Sequence, residues 1–100
     1  MWMIAAFDIP NDPPEGPREY RLCRKCLDSM DFLSCQKSVA VKWFDCDERA
    51  LAAKRRLQAA VRLGKLFCWC ISDTSFQRAD WQEAGSPKEL PFPPSPAIVL

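Results

Sequence analysis

The sequence predicts an α+β domain in which two helices cover one side of an antiparallel sheet. Strand-like segments alternate with segments of helical periodicity, in the order β-α-β(β)-α-β. The chain has 100 residues, of which 48% are hydrophobic, and this length suits one domain with one modest core. Together the order and the length predict a ferredoxin-like βαββαβ sandwich.

The first half of the chain predicts a strand followed by a helix. Residues 1–9 are apolar on both sides of a strand, which is typical of a strand covered on both faces. Several prolines and Gly16 then predict a loop. A helix is expected to begin near Pro17, a residue suited to the first helical position. One stripe of this helix should be buried: Tyr20, Cys23, Leu27 and Met30.

The middle of the chain predicts further strand structure and a second helix. Residues 32–44 are rich in β-branched and aromatic residues and contain no Gly or Pro. They are expected to form either one long or kinked strand or two short ones. Asp45 and Glu48 resemble a capping box, and helical spacing continues to Gly64, which predicts a helix over residues 47–63.

A third apolar segment, KLFCWCI at residues 65–71, is expected to be a buried strand, after which Ser72 and Asp73 can cap a short helix through Phe76. This strand and residues 1–9 are apolar on two faces, whereas the helices can cover only one face of the sheet. The other face needs a partner, and we expect a symmetric homodimer through it.

The end of the chain differs from the rest in composition. Residues 1–84 are expected to form the domain and residues 85–100 an extended arm, because the last 15 residues contain five of the nine prolines. A stiff arm loses less entropy on docking, so it can deliver an apolar terminus to a neighbour: Ala97, Ile98, Val99 and Leu100. A disordered tail, or a strand that folds back within its own dimer, is the alternative.

Charge is distributed unevenly along the chain. Residues 18–65 hold 12 Lys and Arg against 6 Asp and Glu, whereas the remaining residues hold 2 against 7. The excess in the middle is compatible with a surface that binds a polyanion, and a solvated helix surface is the simpler explanation.

Six cysteines lie at positions 23, 26, 35, 46, 68 and 70. The opening MWMIAAF has neither a basic leader nor a small-residue cleavage site, so we expect a cytoplasmic protein with reduced thiols. Zinc bound by Cys23, Cys26, Cys68 and Cys70 is the alternative, but structural zinc more often uses tight turns than a helix pair and a strand pair.

Four segments stand in a fixed order along residues 1–84: FDIP after the first strand, a basic helix, DFLSCQKSV, and ISDTSFQRADW after the last core strand. Together they resemble the CRISPR-associated protein 2 family, the small homodimeric subunit of the spacer-acquisition integrase. Three residues depart from the family pattern: Asp31 replaces a usual glycine, Cys35 an aliphatic residue, and Ala40 an aromatic one.

The resemblance gives Asp8 a role. Its position before Pro10 alone indicates a strand-end acid that caps a turn. In the family, however, the matching aspartate lies near the dimer axis, where two copies can hold one divalent metal such as Mg²⁺. Carboxylates around Mg²⁺ can activate water on a phosphodiester. Asp8 is therefore the candidate catalytic and metal-binding residue.

The resemblance also implies which basic residues contact the phosphates of double-stranded DNA, through contacts that are largely independent of sequence and weakened by salt. These candidates are Arg18, Arg21, Arg24, Lys25, Lys37 and Lys42.

The function that the resemblance implies is a homodimeric DNA-binding scaffold of the CRISPR adaptation complex. The dimer would bridge two dimers of the larger integrase subunit, with the tail as one contact. A Mg²⁺-dependent endonuclease acting on RNA or duplex DNA through Asp8, or a dimerisation module of a transcriptional regulator, is the alternative. The sequence has no histidine, and one carboxylate supplies neither a general acid nor a complete two-metal site, so the scaffold is favoured.

Overall fold

The computed structural model describes residues 1–88, which form a four-stranded sheet, two long helices and a small hairpin. The elements are β1 (Trp2–Asp8), α1 (Glu15–Ser29), β2 (Leu33–Gln36), β3 (Val39–Trp43), α2 (Asp47–Ala60), β4 (Lys65–Ile71), α3 (Asp73–Gln77), β5 (Trp81–Glu83) and β6 (Ser86–Lys88). The main sheet has the order β2-β3-β1-β4, and every neighbouring pair is antiparallel. This order confirms the predicted ferredoxin-like α+β fold.

The core lies between the sheet and the helix pair α1–α2. Alternate residues of β1 point into it, as the two-residue period of a strand requires, and one stripe of each helix packs against them. Its buried members include Met3, Ala5, Phe7, Cys23, Leu27, Ala50, Ala53 and Leu57. The predicted stripe of α1 is confirmed, since Met30 is also buried and Tyr20 is half-buried.

Helix α1 begins at Glu15, so Pro17 is its third residue and not its first. Its end uses Asp31, whose φ of 62° lies in the left-handed region. The following amide, Phe32 N–H, donates to the Leu27 carbonyl at 3.0 Å. Glycine is favoured at such a position and aspartate is tolerated there, so the fold accommodates the family glycine and Asp31 alike.

The predicted capping box of α2 is wrong. The N-cap residue is Cys46, in extended backbone, and no side chain caps the helix. Asp45 lies one residue earlier, where its Oδ2 pairs with Nη1 of Arg49 at 3.5 Å. The helix ends at Ala60 rather than at residue 63, because the backbone of Val61 is extended.

Residues 32–44 form two strands, β2 and β3. Their register shifts between Ser34 and Gln36, which places Cys35 at a bulge. Ala40 is buried and lies opposite Ala5 of β1 and Ser34 of β2, so three small side chains meet here in the sheet. Ala40 therefore lies among neighbours whose side chains are also small.

The last described elements are α3 and the β5–β6 hairpin. Ser72 caps α3 as predicted, since its Oγ accepts from the Ser75 amide at 3.1 Å. The hairpin turns at Ala84 and Gly85, both with positive φ, and therefore crosses the predicted boundary between domain and arm. That boundary stays a prediction. The proposed contact residues lie outside the described residues: Ala97, Ile98, Val99 and Leu100.

The helices of residues 1–88 include none with the length and apolar composition needed to cross a bilayer.

Candidate functional site

We define the open face as the side of the main sheet opposite α1 and α2. Because side chains alternate along a strand, the register assigns to this face the residues that lie opposite one another on neighbouring strands. They are Trp2, Ile4, Ala6, Asp8, Leu33, Gln36, Val39, Val41, Trp43, Lys65, Phe67, Trp69 and Ile71. Ten of the thirteen are apolar, so the open face is an apolar surface with a charged pair at one end.

Helix α3 covers the other end of the open face. The ring of Phe76 stacks on Trp2 with centroids 4.2 Å apart and planes 12° from parallel. Oδ1 of Asp73 accepts from Nε1 of Trp43 at 3.0 Å and lies 3.0 Å from the amino group of Met1. These contacts tie α3 to β1 and β3 and bury Trp2.

Three other large apolar side chains of the open face are exposed. Phe67 is 63%, Leu33 41% and Trp69 39% exposed. The rings of Phe67 and Trp69 meet edge to face, with centroids 4.7 Å apart. Large side chains grouped on one face mark an interaction surface. Within residues 1–88, part of this apolar face is thus left uncovered, and the homodimer stays a prediction.

Asp8 is exposed at the end of β1, roughly 20 Å along the strand from Trp2. Two glycines fix the backbone around it. A Cβ on Gly64 would lie 2.0 Å from the carbonyl oxygen of Asp8, and a Cβ on Gly16 would lie 2.0 Å from that of Pro10. Any other residue at either position would push the loop after β1 outward, so these glycines define where Asp8 stands.

Asp8 alone does not form a metal site. In the stretch from residue 1 to 88, no three His, Cys, Asp or Glu side chains are grouped so that they could hold a metal ion. Residues 1–88 of one chain therefore do not fit Mg²⁺, which would need a carboxylate from a second copy. The same result leaves the four cysteines considered for zinc without a metal-binding arrangement.

The thiols are free, and burial sets their chemistry. Cys23 lies in the core, where burial and then the neighbouring Cys26 raise its pKa to about 11. Burial also raises the pKa of Cys68 and of Cys70 on β4. A raised thiol pKa lowers the thiolate fraction at neutral pH, so these cysteines are poor nucleophiles.

Three of the six predicted DNA contacts share an exposed surface. Arg18, Arg21 and Lys25 are exposed and lie three and four residues apart, which places them on one side of α1. We call these three cations the α1 basic surface. A fourth, Lys37, is exposed in the β2–β3 turn, where its carbonyl accepts from the hydroxyl of Tyr20 at 2.7 Å. Tyr20 packs against the core, so Lys37 lies apart from the α1 basic surface, and its contact with DNA stays a prediction.

The other two predicted contacts are engaged within the fold. Nη2 of Arg24 pairs with Oδ1 of Asp28 at 3.6 Å, and Arg24 is half-buried. Nζ of Lys42 donates to the carbonyl of Met30 and lies 5.3 Å from the ring centroid of Phe44. Both side chains stabilise the packing around α1, and their proposed contacts with DNA remain predictions.

Sequence reasoning missed two neighbours of Asp8. Gly64 was recognised only as a helix end, although its backbone lies against Asp8. Lys65 was recognised only as the start of a strand, although it is the residue opposite Asp8 in the β1–β4 ladder. Both relations depend on the register between two strands far apart in sequence, for which the sequence carries no local signal.

A small ferredoxin-like domain with an open apolar face, a strand-end aspartate and a basic helix is the class of protein defined by these features. No family model matches the chain. It is 34% identical over 79 residues to the CRISPR-associated endoribonuclease Cas2 of Parvibaculum lavamentivorans, an alignment that covers 78% of each chain. The chain belongs to the Cas2 family.

A solved structure supports the fold. The structure is similar to the crystal structure of Streptococcus pyogenes Cas2 at pH 6.5, with a TM-score of 0.64. The match covers 83% of this chain and 100% of that chain, at 17% sequence identity. At this level of identity the likeness concerns the fold, in agreement with the order of elements described above.

Proposed function

We propose that the chain forms a homodimer through the open face, and that the dimer binds double-stranded DNA as a scaffold of the CRISPR adaptation complex. In this role it bridges two dimers of the larger integrase subunit. The observation that carries the proposal is the group of exposed side chains on the open face, Leu33, Phe67 and Trp69. Their burial against a second copy favours association, since fully burying one such side chain contributes roughly 1.5–3 kcal/mol.

The dimer is tested by placing a charge on the open face. Phe67→Glu is expected to convert a dimer into a monomer, measured by light scattering at micromolar concentration. Leu51→Glu is the matched control, because Leu51 is also an exposed apolar residue but lies on α2. A wild-type chain that is monomeric at that concentration, or a Phe67→Glu variant that stays dimeric, would contradict the proposed interface.

DNA binding is assigned to the α1 basic surface. Its cations are exposed and have no ion pair within residues 1–88, so they are available for phosphates. The triple variant Arg18→Ala, Arg21→Ala, Lys25→Ala is expected to weaken duplex binding and to reduce the slope of log K against log salt by about 0.9 per lost contact. Arg49→Ala, which removes a cation of α2 that pairs with Asp45, should leave the slope unchanged.

We assign part of the contact with the larger integrase subunit to the arm, residues 85–100. Truncation after Lys88 keeps the β5–β6 hairpin and removes the apolar terminus. The truncated chain should remain a dimer and should pull down less of the larger integrase subunit. Unchanged co-purification would remove this role and favour the alternative, a disordered tail or a strand that folds back within its own dimer.

A second candidate function is Mg²⁺-dependent cleavage of RNA or duplex DNA through Asp8. Two observations favour it: the relative from Parvibaculum lavamentivorans is named an endoribonuclease, and the Asp8 carboxylate is exposed at the edge of the open face. Asp8→Ala should abolish any metal-dependent cleavage without weakening duplex binding, because different atoms serve the two roles. Cleavage that persists in the purified variant would exclude Asp8 as its source.

A further inference from the structure

Asp8 and Lys65 form a cross-strand pair at the end of the open face. They are direct partners in the antiparallel β1–β4 ladder, and both are exposed. Directly opposite residues have Cβ atoms about 4.5–5.5 Å apart and point to the same side of the sheet. An ammonium and a carboxylate are therefore presented to solvent side by side, next to the Ala6–Phe67 pair.

Neither member of this pair is engaged elsewhere. Within residues 1–88 no hydrogen bond or ion pair involves the side chain of Asp8 or of Lys65. A lysine ammonium has three donors, so Lys65 can bind an anion while it stays close to Asp8. Its availability distinguishes it from Lys42, which donates to a backbone carbonyl.

The backbone holds the pair in a fixed relation. Gly64 has a φ of +83° and passes so close to the carbonyl of Asp8 that a Cβ would lie 2.0 Å from that oxygen. The residue that follows this contact is Lys65, the first residue of β4. The ladder therefore sets the separation of the two Cβ atoms, with no salt bridge between the side chains.

An exposed carboxylate by itself repels a phosphodiester, since both are anions. A nucleic acid that approaches Asp8 therefore needs a cation beside it, and Lys65 is the residue opposite Asp8 in the ladder. We propose that Lys65 is a phosphate-binding residue, which holds a phosphodiester of the bound nucleic acid next to Asp8. This inference rests on the proposed function insofar as the chain must bind nucleic acid.

The experiment measures binding without cleavage. The full chain is titrated against a fluorescein-labelled DNA duplex and against single-stranded RNA of the same sequence, in EDTA, over a series of salt concentrations. The variants are Lys65→Ala, Lys65→Arg, Lys65→Glu and Asp8→Asn. Lys88→Ala is the matched control, because it removes an exposed lysine from a different sheet, the β5–β6 hairpin.

Lys65→Ala should weaken binding several-fold and reduce the salt slope by about 0.9 for duplex DNA or about 0.7 for a single strand. Lys65→Arg should retain binding, and Lys65→Glu should weaken it further. Asp8→Asn should bind more tightly than wild type because it removes a repulsive charge, and Lys88→Ala should match wild type. The larger loss, with DNA or with RNA, identifies which nucleic acid supplies the phosphate.

Three results would overturn the inference. If Lys65→Ala binds like wild type while the triple variant of the α1 basic surface binds weakly, Lys65 is not a contact and the proposed function stands. If wild type binds neither probe, both the inference and the proposed function fail. If Lys65→Ala becomes monomeric in light scattering while Lys65→Arg stays dimeric, Lys65 stabilises the dimer and does not bind phosphate.

Discussion

The two faces of the main sheet contain similar apolar residues but differ in what covers them. On the helix-covered face, Ala5 and Phe7 of β1 are buried by α1 and α2. On the open face, Phe67 and Trp69 of β4 remain exposed, although their strand is as apolar as β1. An apolar strand pattern thus predicts that its side chains will be buried. It does not predict whether they pack against the same chain or against a partner.

Helix α3 covers only part of the open face. It buries one end of the open face through Phe76 and Trp2, and leaves the end near Asp8 uncovered. A single short helix therefore divides the open face into a part that stabilises the fold and a part that is available for a partner. The predictions below test this division by comparing matched residues.

The largest expected effect is on the helix-covered face. Leu27 is fully buried on α1, so Leu27→Ala should lower the free energy of unfolding by about 2–5 kcal/mol through lost contacts and the cavity left behind. Leu22 lies on the same helix and is 47% exposed, so Leu22→Ala should cost less than about 0.5 kcal/mol. Urea unfolding of both variants measures the difference, and equal losses would contradict the assigned core.

The pH dependence of stability reports on the same core. Burial raises the pKa of Cys23 from 9.0 to about 11 in the folded chain, so the unfolded chain loses this proton first as the pH rises. Stability due to this thiol is fully present below about pH 9 and falls as the pH rises toward about 11. The difference in unfolding free energy between wild type and Cys23→Ala, measured across this range, should fall accordingly. A constant difference would show that Cys23 is not protonated preferentially in the folded state.

A smaller effect is expected where α3 meets the open face. Asp73→Ala removes the acceptor for Trp43 and the partner of the Met1 amino group, which should lower stability by about 1–2 kcal/mol. Trp2 should then become more accessible to a fluorescence quencher, since Phe76 no longer holds its place above it. Asp80→Ala is the control, because Asp80 is exposed and follows α3. Unchanged quenching in Asp73→Ala would show that α3 stays in place without the contacts of Asp73.

Much of the fold could be predicted because its signals are local. The predicted strands at 1–9 and 65–71 match β1 and β4 closely, and the stripe of α1 follows from helical spacing. The cap of α2 was wrong because a capping box depends on side-chain geometry as well as residue type, and Asp45 pairs with Arg49 instead. A local sequence pattern cannot distinguish an aspartate that caps a helix from one that pairs with an arginine.

The candidate site was harder to predict because it depends on contacts between distant segments. Lys42 was grouped with the exposed cations, yet its ammonium meets the Met30 carbonyl at the end of α1. The pairing of Asp8 with Lys65 joins residues far apart in the chain and follows only from the strand register. Charge and the family pattern predicted Asp8 and the α1 basic surface as candidates. The neighbours of Asp8 became apparent only from the structure.

The smallest expected effect on folding is on the uncovered part of the open face. Phe67→Thr introduces a β-branched residue, which also favours a strand, and removes a ring that is 63% exposed. At concentrations below the dissociation constant of the proposed dimer, it should cost less than about 1 kcal/mol, chiefly through the lost edge-to-face contact with Trp69. At higher protein concentration the wild-type chain should gain stability through the proposed association, and Phe67→Thr should gain less, because the proposed dimer would bury this ring. Thermal unfolding over a series of concentrations separates the effect of the substitution on folding from its effect on association. A loss in dilute solution as large as that of Leu27→Ala would show that Phe67 belongs to the core of its own chain, and the distinction between the two faces would then fail.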